Sequence, residues 1–435
     1  MQALLSFDQA PPFTAPVRFF VTAPLFAMLA GVLILFVGPE LFVSRWTATA
    51  LAATHLLSLG FLSQVMIGAM VQILPVVAGA HIPRSLAVAR MVHLALICGT
   101  LLLVLGFLTF NRLAFISAAW ALGVGMVIFI GAAGHALFTV SSNNPTIRGL
   151  KLSLLGLSGT VILGLLLALS LSESWPLPLP QLTALHFGWG VVGWGITLLI
   201  AVALVVVPMF QLTPPYPKWL AQTFCPLALL LLALQTMANL AGWSVTADSL
   251  ASTLATGAAL FAGETLRLQR KSTRPSFDVS QQFWRLAMAC VIVASALWMG
   301  LLWLPALAEQ PRWAMLCGVL IFVGGFMSVM NGMLYKIVPF LVWLHLQNLC
   351  RPGEMAPNMN KVIAAKQITW QWRAHLGALL LLLAAATLPN GFAYSAGAAL
   401  LVANGWLLYN LLTAMVFYRR HAARLTIASE NDGQQ

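Results

Sequence analysis

Three segments of this sequence share one pattern and lie about a third of the chain apart. Each begins with glycine, continues as a mostly apolar stretch and reaches a proline 15 residues later. Pro208 follows Pro75 by 133 residues, and Pro339 follows Pro208 by 131. The segments are 60–79, 193–212 and 324–343. A repeat of this regularity predicts three structurally equivalent blocks within one fold.

The apolar runs are too long and too numerous for the core of a soluble domain. The chain is 60% hydrophobic and 7% charged, whereas a soluble domain is about 25% charged. Runs of about 20 apolar residues are typical of helices that cross a bilayer. We therefore predict an all-α polytopic membrane protein with about twelve transmembrane helices. These are expected near 17–38, 47–78, 87–110, 113–139, 147–171, 183–210, 219–242, 249–267, 283–306, 313–345, 370–388 and 393–418.

The repeated helices are then the second, sixth and tenth, so the chain divides into three blocks of four helices. The pseudo-repeats span about 17–140, 147–267 and 283–418 of a single membrane domain that covers 1–435. Residues 422–435 are polar and are expected to form a disordered cytoplasmic tail. The segment 351–369 is the longest polar connection that could dock another protein.

The net charge of +12 is explained by the predicted orientation of the chain in the membrane. With the N-terminus in the cytoplasm, eighteen of the 22 Lys and Arg residues fall on the inner side and three on the outer side. Lys336 is the remaining one and lies within a helix, from which it is expected to reach toward the cytoplasm. This asymmetry follows the positive-inside rule and predicts that both termini are cytoplasmic. It favours the lipid bilayer as partner and excludes a nucleic-acid-binding patch.

The positions of the acidic residues argue against proton pumping and weaken a secondary-transporter interpretation, while a histidine-based path stays open. All ten Asp and Glu fall in loops, tails or helix ends, whereas proton pumps and proton-coupled transporters use carboxylates within the membrane. The sequence also contains no phosphate-binding loop, dinucleotide fingerprint or zinc-protease motif. Its five cysteines form no CxxC pair, so a disulfide framework is not expected.

Two histidines stand in the outer halves of repeated helices. His55 precedes the first marked segment, and His186 begins the stretch LHFGWGVVGWG before the second. A metal-binding side chain within a bilayer is a functional hypothesis. The alternative is a neutral imidazole that hydrogen-bonds to a neighbouring helix, and the pattern fits either.

A second group of histidines lies toward the cytoplasmic ends of later helices. His93, His135 and His375 are expected near one depth, where two of them would suffice to bind a second haem or a metal. The alternative for each is an interface histidine without a ligand.

The twelve helices in three arcs resemble the catalytic subunit of haem–copper oxidases. His55 matches the place of a low-spin haem ligand in that family, and His186 matches a copper ligand. The chain lacks the histidine pair on the seventh helix and the His-x-His early in the tenth, so the resemblance does not imply a complete oxygen-reducing site. Near the missing ligands stand Met315 and Cys317, whose soft sulfur atoms suit copper or haem iron.

In the resembling oxidases, basic residues at the outer surface hold the haem propionates. Arg45 precedes the second helix and Arg312 the tenth, so the resemblance implies this role for them. The alternative is anchoring at the membrane interface.

The NnrS family also resembles this chain, and its members are described as containing haem and copper with a link to nitric-oxide stress. The matching segment is THLLSLGF…QILPVVAG, which keeps one histidine, the Gly-Phe, the proline and the final glycine. The family's second histidine and its glutamate are absent here. We identify the chain as a divergent relative of this wider group.

These resemblances imply a haem b protein of the bacterial inner membrane, with copper as a second candidate cofactor. Its role would be redox chemistry or a response to nitric oxide, with a membrane redox partner, and whether it is an enzyme stays open. The alternatives are a permease or a metal- or haem-handling transporter that keeps the fold without a cofactor, and an assembly factor.

Overall fold

The fold was analysed in a computed structural model that describes residues 10–142, 144–172, 175–274, 278–351 and 354–432. These residues form helices and connecting loops without a β-strand, which confirms the predicted all-α polytopic architecture. Twelve long helices follow one another along the chain. They are α1 Thr14–Phe42, α2 Ala48–Ala78, α3 Ser85–Thr109, α4 Arg112–Phe138, α5 Pro145–Leu171, α6 Leu179–Gln211, α7 Lys218–Leu240, α8 Ser244–Arg270, α9 Val279–Trp303, α10 Pro311–Gln347, α11 Ala365–Thr387 and α12 Pro389–Asp432.

Eleven of these helices are long and apolar enough to cross a membrane, and α11 is the exception within the described chain. It has 23 residues, which is sufficient length, but its first half reads AKQITWQWRAH. The polar residues Gln371 and His375 are fully buried in the bundle. The low mean hydropathy of α11 therefore reflects both the exposed Lys366 and Arg373 and the buried Gln371 and His375.

The three repeated helices form the centre of the bundle. In α2, 83% of the most apolar 18-residue stretch is buried, and in α6 and α10 the share is 56%. In the other membrane-spanning helices it does not exceed 44%. Because lipid solvates the outer helices, their exposed leucines and valines need no protein partner.

Each central helix changes to π-helical geometry near its middle. The π segments are Leu56–Ser63, Trp189–Ile196 and Leu320–Met327. Their first residues are separated by 133 and 131 residues, the same spacings as the repeated prolines. Such segments are rare in proteins and concentrate at functional sites, so the repeat in sequence corresponds to a repeated irregularity in backbone geometry.

The repeated prolines lie inside their helices. The helices α2 and α6 end three residues after Pro75 and Pro208, whereas α10 continues to Gln347, eight residues after Pro339. Neighbouring helices and local adjustments satisfy the backbone groups that a proline frees in a membrane helix.

The last helix is longer than expected. Its backbone is helical to Asp432, so helix covers most of the segment 422–435 that was expected to be disordered. The stretch begins with AARL, four residues of high helix propensity. Residues 433–435 lie outside the described residues.

The central helix α6 is held against α5 by a contact between two glycines. A Cβ atom built on Gly156 would lie 1.9 Å from the carbonyl oxygen of Gly193, which is far inside van der Waals contact. We expect Gly156→Ala to force the helices apart and lower the free energy of unfolding by about 1–3 kcal/mol. Thermal unfolding in detergent measures the change.

Gly131 provides the matched control, because a Cβ on it would meet nothing within 4 Å. Gly131→Ala in α4 should leave the stability unchanged or slightly higher, since alanine favours helix over glycine. Equal stability of both variants would show that the close approach of Gly156 and Gly193 does not hold α5 against α6.

Candidate functional site

His55 and His186 each stand beside a π segment. His55 is the last residue of the α-helical turn before Leu56–Ser63 in α2. His186 lies three residues before Trp189–Ile196 in α6. Both side chains are half-buried, and both helices belong to the central group.

The structure brings these two histidines together. Their ring centroids are 6.5 Å apart, and the ring planes are inclined by 17°. Two imidazoles that bind one metal through nitrogen at about 2.0–2.1 Å place their centroids roughly 6 Å apart. The observed centroid separation of 6.5 Å is close to that value.

Hydrogen bonds to the backbone orient both rings. The Nδ1 atom of His55 lies 2.8 Å from the carbonyl oxygen of Leu51, and Nδ1 of His186 lies 3.0 Å from that of Thr160. A carbonyl only accepts, so each neutral ring carries its proton on Nδ1 and keeps the lone pair of Nε2 free. Metal-binding histidines are held in the same way by an outer hydrogen bond.

Small and aromatic residues shape the space around the pair. A Cβ on Gly164 of α5 would lie 2.9 Å from Cε1 of His186, so only glycine leaves room for this ring position. The Phe107 ring lies 5.2 Å from the ring of His55. A glycine on α5 and an aromatic ring on α3 therefore border the pair.

The two outer arginines lie over aromatic rings. The guanidinium of Arg45 is 4.9 Å from the ring centre of Trp46, and that of Arg312 is 5.2 Å from Trp313. Burial lowers the pKa of Arg45 from its ordinary value, and the nearby Cys317 acts in the opposite direction. Such cation–π contacts are typical of interfacial anchors and leave the guanidinium edges free for an anion.

Arg312 also borders a cavity of about 450 Å³ at this end of the bundle. The cavity lies between the ends of α1 and α11 and the start of α10. It is lined by Phe42, Val43, Glu309, Gln310, Pro311, Arg312, Ala386, Thr387 and Pro389.

The two sulfur-bearing candidates have ordinary surroundings. The buried Cys317 thiol lies 3.8 Å from the backbone carbonyl of Ala294, and Met315 packs against the main hydrophobic core. Among the described residues, no three His, Cys, Asp or Glu side chains form a group that could hold a metal ion. The sulfur atoms therefore do not extend the histidine pair into a larger metal site of that kind.

The second histidine group is distributed over different environments. Nε2 of His93 lies 2.9 Å from Thr22 Oγ1 between α3 and α1, and His135 is exposed on α4. His375 is buried, with Nε2 2.8 Å from Ser328 Oγ. Thr22 and Ser328 are each within hydrogen-bonding distance of one ring.

One end of the bundle carries most of the Lys and Arg residues and is called the basic end below. Sequence reasoning missed an ion cluster at this end. Lys336 Nζ lies 3.0 Å from Oδ2 of Asp278, and Arg274 Nη1 lies 2.9 Å from the same oxygen. Lys336 was expected to reach toward the cytoplasm, and in the structure its ammonium pairs with the carboxylate of Asp278 at the basic end. The signal was Asp278 itself, which caps the start of α9 by accepting the backbone N–H of Ser280.

Sequence reasoning also missed a polar face on α11. Gln367, Gln371 and His375 recur every four residues, and this spacing places them on one side of a helix. The histidine was singled out from the sequence, but the glutamines were not.

Comparison with known proteins adds no assignment to this geometry. No protein-family model matches the chain, and no curated protein matches it. The function must therefore be argued from the histidine pair and its surroundings.

Proposed function

We propose that this integral membrane protein binds one b-type haem, which the imidazoles of His55 and His186 would hold. The observation that carries the proposal is the pair of near-parallel imidazoles with centroids 6.5 Å apart. Their hydrogen bonds to Leu51 and Thr160 leave both Nε2 atoms available. The chain has no CxxC pair, so non-covalent, b-type attachment fits better than covalent attachment.

Haem bound here would supply one-electron redox chemistry. Held by the imidazoles of His55 and His186, such a haem would accept and donate single electrons. The apolar helices provide the low-dielectric shell that tunes the potential. We infer exchange of electrons with a membrane redox partner, in a redox or nitric-oxide-response role.

Arg45 and Arg312 are the proposed partners of the haem propionates. Both lie at the end of the bundle where the histidine pair is found, just before α2 and just after the start of α10. A guanidinium pairs with a carboxylate through two parallel hydrogen bonds. The distribution of Lys and Arg supports placing this end outside and both termini in the cytoplasm of a bacterial inner membrane.

Copper is the second candidate for the same two ligands. Imidazole suits copper as well as iron, and a single ion between two Nε2 atoms requires the same ring separation.

The deciding experiment is a reduced-minus-oxidised visible spectrum of detergent-purified protein from haem-replete cells, with iron and copper analysis of the same sample. We expect a sharp b-type band and one iron per chain. Copper without haem would support the second candidate. A colourless, metal-free preparation would contradict both and favour a permease or an assembly factor that keeps the fold, with 351–369 as the docking segment.

A further inference from the structure

Polar side chains line a buried seam between α10, α11 and α12. From α11 come Gln367, Gln371 and His375, one helical turn apart, and the latter two are fully buried. Across from them on α10 stand Ser328 and Asn331, which are also fully buried. Polar groups in the interior of a membrane bundle are costly and mark functional pathways.

Among the titratable residues of the seam, His375 lies farthest from the basic end of the bundle. Asn331 Nδ2 donates to Nδ1 of His375 at 3.4 Å, so Nε2 carries the ring proton. Nε2 then donates to Ser328 Oγ at 2.8 Å, and Ser328 donates to the carbonyl of Val323 at 3.3 Å. Both ring nitrogens therefore belong to one hydrogen-bonded chain.

The seam continues toward the basic end of the bundle. Gln371 Nε2 donates to the carbonyl of Ala403 at 3.2 Å. One turn further, Asn410 Nδ2 donates to Tyr335 Oη at 2.9 Å and to the carbonyl of Gln367 at 3.4 Å. Gln367 is half-buried and lies two residues after the start of α11, so the seam reaches the surface there.

Four amide oxygens in this seam lack a hydrogen-bond donor. Each of these side chains is at most 1% exposed, and each uses its NH₂ group in a hydrogen bond while its oxygen has no partner. They are Asn331 Oδ1, Gln371 Oε1, Asn404 Oδ1 and Asn410 Oδ1. Buried polar atoms of this kind are normally satisfied by ordered water.

Any group that satisfies these four amide oxygens must donate hydrogen bonds to them. None of the seam residues named above carries a formal charge, so a bound cation would lack a counter-charge in the membrane interior. Water donates twice without adding charge, and it also accepts, so successive molecules connect one amide oxygen to the next.

We propose that a file of ordered water molecules fills this seam and gives protons from the basic end access to His375. From Gln367 to His375 the helix rises about 12 Å, which only a chain of several waters can span. The inference concerns proton access to the middle of the bundle and does not depend on whether the histidine pair holds haem.

Exchange of the Cε1 hydrogen of each histidine in D₂O, followed by mass spectrometry of the full chain in detergent, tests the proposal. This exchange requires water at the ring. We expect measurable exchange at His375 despite its burial, and at least several-fold slower exchange in Gln371→Leu, which removes an orphan oxygen and fills its place with an apolar side chain.

Two comparisons make the result specific. Exposed His135 should exchange at the same rate in all variants, which controls for the exchange conditions. Gln72→Leu replaces another buried amide without partners, on α2 outside the seam, and should leave His375 unchanged. If Gln371→Leu does not fold, Gln367→Leu at the mouth of the seam carries the same expectation.

The proposal is overturned if His375 fails to exchange in the unmodified protein, or if it exchanges equally fast in the leucine variants of the seam. Because the measurement needs no cofactor, its outcome is independent of the visible spectrum.

Discussion

The His55→Ala variant is expected to lose the b-type band of the reduced-minus-oxidised spectrum, and His186→Ala is expected to lose it as well. Each substitution removes one of the two imidazoles whose centroids are 6.5 Å apart. Loss of an outer partner alone reduces metal affinity by about 10–100-fold, so loss of a ligand should lower the haem content at least as much. Haem and iron per chain, measured after purification, quantify the effect.

His93→Ala and His135→Ala are the matched controls. Both remove an imidazole from the same protein, but His93 bonds to Thr22 and His135 is exposed on α4. Both should keep the full haem content. A band that survives in His55→Ala and disappears in His93→Ala would move the proposed ligand to the second histidine group.

Free imidazole distinguishes a missing ligand from a disturbed fold. In His55→Gly or His186→Gly, added imidazole should enter the vacated place and restore the band. Failure of rescue in both glycine variants, together with unchanged thermal stability, would indicate that the two rings do not bind the cofactor directly.

The fold was largely predictable because membrane helices obey a simple physical rule. A segment that crosses the bilayer must satisfy its own backbone and present apolar side chains, so composition and length reveal it. The helix α11 falls short of this rule because it carries the exposed Lys366 and Arg373 as well as the buried Gln371 and His375. A hydropathy pattern does not distinguish a buried polar face from an exposed one.

The histidine pair was predictable only as two separate residues. Each residue along a helix turns the side chain by about 100°, and the π segments beside His55 and His186 alter that rotation. Whether two rings on α2 and α6 meet depends on how these helices are rotated and packed, which the sequence does not state. Their meeting is a property of the tertiary structure.

The partner of Lys336 was unpredictable for a related reason. Asp278 belongs to a polar connection between α8 and α9 and is far from Lys336 in sequence. Because it caps the start of α9, its carboxylate lies next to Lys336 on α10. Periodicity describes one helix at a time, whereas ion pairs join different helices.

Neutralising Asp278 is expected to destabilise the bundle strongly. Its side chain is 7% exposed and bridges Lys336, at 19%, and Arg274, at 25%. In Asp278→Asn the two cations would remain side by side without their carboxylate. Removal of one member of a buried ion pair costs about 3–5 kcal/mol, and we expect a loss of this order in the free energy of unfolding.

Asparagine is the informative replacement because it retains the helix cap. The Asp278 carboxylate accepts the Ser280 N–H at 3.0 Å, and asparagine caps a helix about as well as aspartate. The loss of stability in Asp278→Asn therefore measures the contribution of the negative charge and not that of the helix cap. Thermal or denaturant unfolding of the purified protein measures it.

A double variant and an exposed pair complete the test. Asp278→Asn combined with Lys336→Met removes one of the stranded cations and should recover part of the stability, because the two residues contact each other. Arg267→Met breaks the exposed pair with Glu264 on α8 and should change the stability little, since solvent screens such pairs. If Asp278→Asn lowered the free energy of unfolding as little as Arg267→Met, the ion cluster would not be what holds the connection between α8 and α9 against α10. A loss in the double variant equal to the sum of both single losses would show that Asp278 and Lys336 act independently.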